Sequence, residues 1–221
     1  KMRKLIFGLS LVMVSSGAMA AGFPSLPGSS KKEEPASSGV SATDAQEAIV
    51  NDFKSALSLV LEAQGYVLTA VGKSDEAGAA QASAARLSGD DCAAGCLEEV
   101  VESSKGAQQT IAEATSESAS LDADGKKVLA KAYKPLGKGT LKMVNLGPKT
   151  KDWAKSATSE MKSAGMMGAG KLKKKLASGL FIAKILPKML TSWTDTTAGL
   201  VSFGKKQGVS TKGASGDEME G

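Results

Sequence analysis

Apolar residues recur at helical spacing over most of the chain, and nowhere do apolar and polar positions alternate over a strand-length run. The clearest stretch carries Ile49, Phe53, Ala56, Leu57, Val60, Val67, Leu68 and Val71 in nearly heptad order, with Gln64 interrupting. Leu59, Leu61 and Ala63 fill its other faces, which predicts a central helix. Thr43 to Gln46 fits a capping box, in which a hydroxyl and an amide each satisfy a free backbone N–H. Gly72 ends this helix.

Ser74 can cap an alanine-rich helix from Asp75 to about Leu87, stopped by Gly89. Asp90 and Asp91 open a long helix with Cys92, Cys96, Leu97, Val100, Val101, Ile111 and Ala112 on its apolar side. Asp122 caps a helix that carries Val128, Leu129 and Tyr133 and stops before Pro135. A short helix with Leu141, Met143, Val144 and Leu146 follows, up to Gly147-Pro148. Trp153, Ala157 and Met161 mark another helix over 149–163. Gly165 to Gly170 reads as a hinge. Beyond it a helix runs over 171–193, interrupted at Pro187, and a last one from Asp195 to about Phe203.

Composition agrees with helix. No proline occurs over residues 36–134, and alanine supplies 33 of the 221 residues. The predicted fold is all-α, an antiparallel bundle of four to six helices packed through Ala and Gly over 42–206. A flexible leader rich in Pro, Gly and Ser precedes it over 21–41, and a polar, disordered tail follows over 207–221.

The first twenty residues read as an address rather than as fold. Lys1, Arg3 and Lys4 precede an apolar run over 5–14, and Ala18-Met19-Ala20 supplies a small-residue cleavage pattern. The run is too short to span a bilayer. It predicts export by general secretion to the periplasm or beyond, with a mature chain starting at Ala21. No cysteine follows the cleavage point to carry a lipid anchor, and no twin-arginine pair precedes the apolar run.

Removing that segment changes the charge picture. The formal +5 of the whole chain falls to +2 from Ala21 onward, which leaves no case for nucleic-acid binding. The polarity is internal: residues 21–124 carry −11 and residues 125–221 carry +13. Every cation of the second part is lysine, which suits diffuse attraction to anionic surfaces better than bidentate recognition. Three readings compete. The two parts face each other, or the basic part meets an anionic membrane or polymer, or it meets a partner protein or the polarity has no role.

Candidate chemistry is sparse. The chain has no histidine, which removes imidazole acid–base catalysis and ligation. Cys92 and Cys96 are the only cysteines. In an exported protein they read first as one disulfide, ahead of two buried thiols or a redox or metal site. Adjacent carboxylates such as Asp90-Asp91 and Glu98-Glu99 diverge on a helix and read as cap and solvated face. Gly165 to Lys171 is glycine-rich but lacks the spacing of a phosphate loop. No metal or cofactor is implied.

The segment 171–193 is cationic and amphipathic. Leu180, Leu186 and Trp193 fall on its apolar half, and Lys173, Lys174, Lys184 and Lys188 on the other. Two readings stand: a core helix whose lysines reach solvent, or a helix that lies in a membrane interface. The expected function is therefore non-enzymatic binding in the bacterial cell envelope, as an interaction or chaperone-like module with a protein partner. The rival is a membrane-active effector that uses 171–193.

Overall fold

The computed structural model describes residues 41–89, 91–116 and 120–214. The predicted signal segment and all but the last residue of the leader lie outside them. Six helices account for nearly all of the described chain, with no strand among the described residues: α1 (Ala42–Ala70), α2 (Ser74–Leu87), α3 (Ala94–Ser116), α4 (Ala123–Ser163), α5 (Gly165–Lys175) and α6 (Ala177–Lys206).

Ser41 caps α1, its hydroxyl accepting from the Asp44 N–H at 3.2 Å. The capping box expected at Thr43 is displaced by this earlier start, and Gln46 is released for another task. Its side-chain amide donates to the Lys175 carbonyl and its oxygen accepts from the Gly179 N–H, each at 3.0 Å. One side chain thus satisfies an orphan carbonyl at the end of α5 and an orphan donor at the start of α6. Gly72, at φ +77°, closes α1: Lys73 N–H reaches Leu68 O and Gly72 N–H reaches Thr69 O, a Schellman pattern.

α1 is the axis of the bundle, as its apolar faces predict. Phe53, Leu57, Val60, Leu61, Val67 and Leu68 are all fully buried. α2 folds back along α1, and α3 back along α2, where Ser83 meets Ser103 and Arg86 meets Glu99. α4 runs antiparallel to α1: Trp153 Nε1 donates to Ala42 O at the far end, while Gly125 lies beside Ala70 O at the near end. α6 returns antiparallel to α4, with Gly179 against Trp153 and the Tyr133 hydroxyl donating to Leu200 O.

α4 corrects the sequence reading most. It continues through Pro135 and Pro148 as one helix of 41 residues, where three helices were expected. Each proline withdraws a donor from the carbonyl four residues back. Those carbonyls belong to Lys131 and Val144, both exposed residues. The internal-proline cost of about 3 kcal/mol each is set against the burial of Tyr133, Leu136, Met143 and Leu146. Tertiary burial wins over local propensity. Pro187 also lies inside α6, flanked by the buried Leu186 and Met189.

Other boundaries shift too. α3 begins at Ala94, so Cys92 precedes the helix instead of riding on it. The expected hinge at Gly165 to Gly170 is helical, and the turn is confined to Gly165 at φ +66°. The expected helix over 171–193 is divided at Leu176, with its first residues in α5 and the rest in α6. The tail expected to be disordered from 207 is packed as far as Ala214. Val209 and Ala214 are buried, and Gln207 Oε1 accepts from the Leu121 N–H. Residues 215–221 lie outside the described chain.

Candidate functional site

Cys92 and Cys96 form a disulfide, with Cα atoms 5.0 Å apart. The bridge ties the residues just before α3 to its first turn. Cys92 is buried and Cys96 half-buried, so the bridge lies against the core. Among the described residues, no group of His, Cys, Asp or Glu is arranged to hold a metal ion.

The residues singled out on 171–193 separate into two populations. Lys173, Lys174, Lys184 and Lys188 are exposed. Leu186 and Trp193 are core residues, with Trp193 only 1% exposed, and Leu180 is half-buried against the same core. The apolar half of α6 is spent on α4 and the bundle interior, as in the core-helix reading of 171–193, so Leu186 and Trp193 offer no surface to a membrane or partner. An amphipathic pattern is identical for a helix facing a core and a helix facing lipid; the neighbours decide. Among the described residues, no helix is long and apolar enough to cross a membrane.

The acidic and basic parts of the chain do pack together, through α1 against α4. Their contact is apolar and close: Gly139 of α4 sits against Ala56 O and Val60, where a larger residue would collide. Among the described residues, Lys149–Asp52 at 3.1 Å is the one salt bridge between α1 and α4. The charges therefore do not neutralise each other across the interface, and the lysines stay on the surface.

Lys127, Lys131, Lys134, Lys138, Lys142 and Lys149 form a continuous stripe on α4. Their steps of three, four or seven residues keep all six within about 80° of the helix circumference. Lys127 pairs with Asp124 and Lys149 with Asp52; no carboxylate among the described residues pairs with the four between. The spacing of this stripe is visible in the sequence, but spacing alone does not distinguish it from the solvated face of any helix.

The stripe gains a second wall from α1. Lys54, Lys138 and Lys142 line one groove of about 650 Å³, together with Asn51, Ser55 and Ser58. Two of these ammonium groups are held in place: Lys142 Nζ donates to Ser55 Oγ at 2.7 Å, and Lys54 Nζ to Gly89 O at 3.2 Å. No carboxylate among the described residues lines this groove. Three cations and several hydroxyl and amide groups face one open space. That arrangement suits an anion, since each added negative group relieves mutual repulsion and gains a donor.

A second lysine patch, Lys151, Lys155 and Lys162, flanks Thr158 and Ser159 nearer the end of α4. Asp152 lies in the same sequence, and its hydrogen bond from Lys155 holds its carboxyl below the usual range, with the nearby charge of Lys155 adding to it. Between α3 and α6 a crevice of about 240 Å³ is lined by Val101, Ile185 and Met189, with Lys105 and Lys188 also on its walls.

Comparison with protein families, with characterised proteins and with solved structures finds no match to this chain.

Proposed function

We propose that this chain is an exported, non-enzymatic interaction protein of the bacterial cell envelope that holds an acidic partner protein along the α1–α4 lysine groove. One observation carries the reading: Lys54, Lys138 and Lys142 converge on a groove lined by no carboxylate among the described residues. The partner would supply acidic side chains to the three ammonium groups, with the hydroxyls of Ser55 and Ser58 beside them. Lysine, with its mobile stem and point charge, tolerates variation in such a partner. Export is supported by the three-part pattern over 1–20 and agrees with a disulfide at Cys92 and Cys96.

The test is a titration with a poly-glutamate peptide at low and high salt. Binding should weaken as salt rises. K138E/K142E should bind about tenfold less tightly, since each exposed pair contributes up to ~1 kcal/mol. Equal affinity of wild type and this double variant would exclude the groove.

A further inference from the structure

α5 is the least enclosed helix of the bundle. None of its residues is buried. At its start stand Met166 and Met167, 96% and 88% exposed, the most exposed large apolar residues of the described chain. Gly165 turns the backbone directly before them, so they mark the corner between α4 and α5. Lysines follow this corner along the chain. Residues 161–194 hold seven lysines and no Asp or Glu. Lys162, Lys171 and Lys173 to Lys175 are all exposed. The lysines of the last turn of α5 favour its helix dipole, but that accounts for neither the two methionines nor the lack of acids.

We propose that the α4–α5 corner docks on an anionic lipid bilayer, with Met166 and Met167 entering the interface and the lysines from Lys171 to Lys175 meeting the headgroup phosphates. Area argues for lipid over protein. Two methionines and their neighbours fall far short of the ~800 Å² that each partner of a stable protein interface buries. Lipid attachment needs less: a short apolar insertion combined with a polybasic cluster is enough for reversible binding. Methionine is flexible and unbranched, and it fits a disordered acyl environment without a shaped pocket. Leu186 and Trp193, which a membrane-lying helix over 171–193 would use, are locked in the core; the corner offers an anchor that leaves the core intact.

This inference does not rest on the groove. Lys142 precedes the end of α4 by about 30 Å of helix, so the two surfaces are separately testable.

The experiment is methionine oxidation by peroxide, read by peptide mass spectrometry, on the full chain with phosphatidylglycerol or phosphatidylcholine vesicles. Met166 and Met167 should oxidise several-fold more slowly with the anionic vesicles only, and high salt should restore their rate. M166S/M167S should lower affinity for anionic vesicles roughly tenfold, with an unchanged unfolding midpoint. K138Q/K142Q should leave the methionine protection in place. If the protein sediments with anionic vesicles while both methionines oxidise at the free rate, another segment holds the membrane and the proposal fails. Protection by poly-glutamate without vesicles, and none with them, overturns it in favour of a protein-binding corner.

Discussion

The indole of Trp153 lies flush against the α-carbon of Gly179, in the space that a side chain there would occupy. The ring cannot readily move aside, because its Nε1 donates to Ala42 O at 2.8 Å and so ties α4 to the start of α1. Three helices meet at this one contact. Gly179→Ala should therefore cost about 1–3 kcal/mol through overpacking. Gly199→Ala, also in α6 but with open space around it, should be neutral or stabilising by about 0.5–1 kcal/mol. Urea unfolding of both variants decides the matter; equal midpoints would mean that the Trp153 contact has no energetic weight.

Tyr133 gives the fold a specific alkaline limit. Burial pushes its hydroxyl from 10.0 up to about 12, because the core favours the neutral form. The folded pKa is raised above the unfolded one. Its contribution is then complete below pH 10 and is lost as pH rises through 10 toward 12. Tyr133→Phe should lower stability at neutral pH by about 1 kcal/mol, through loss of the bond to Leu200 O. Above pH 10 the variant should decline less steeply than wild type. Parallel decline of the two proteins would refute the assignment.

Salt should matter little to the fold, despite the polarised charge of the chain. The Lys149–Asp52 pair is exposed, with half or more of each side chain in solvent. Such pairs contribute about 0–1 kcal/mol. Asp52→Asn should shift the unfolding free energy by less than about 0.5 kcal/mol. Wild-type stability measured from low to high salt should stay nearly level. A large loss at high salt would show that charge, and not the apolar face of α1, joins the two parts.

The disulfide is a local clasp. Non-reduced protein should weigh two hydrogens less than reduced protein, and neither Cys92 nor Cys96 should alkylate without reductant. Closing so short a loop removes little chain entropy, so reduction should cost about 2 kcal/mol at most. Full alkylation of unreduced protein would eliminate the bridge.

Export is checked by sequencing the N-terminus of protein recovered outside the cytoplasm. The pattern over 1–20 predicts Ala21 as the first residue. Recovery of exported protein that still carries residues 1–20 would contradict it.

Local chemistry alone determined much of this chain. The spacing from Ile49 to Val71 marks the central helix, Gly72 its end, Asp122 the start of α4, and the pair at Cys92 and Cys96 its bridge. Each depends on residues within a turn or two, where caps, glycine conformations and periodicity operate. Other features needed the assembled bundle. Pro135 and Pro148 are strong local stop signals, and only the buried face of Tyr133, Leu136, Met143 and Leu146 outweighs them. Ser41 took the cap and freed Gln46 to join α5 and α6, 129 and 133 residues away. Trp193 and Leu186 could face lipid or core by pattern, and the neighbouring helices placed them in the core. The groove brings Lys54 of α1 beside Lys138 and Lys142 of α4, residues with no local relation in sequence. Periodicity says that a face is apolar or charged; what it meets is decided by packing, because burial energy depends on the partner surface and not on the helix that presents it.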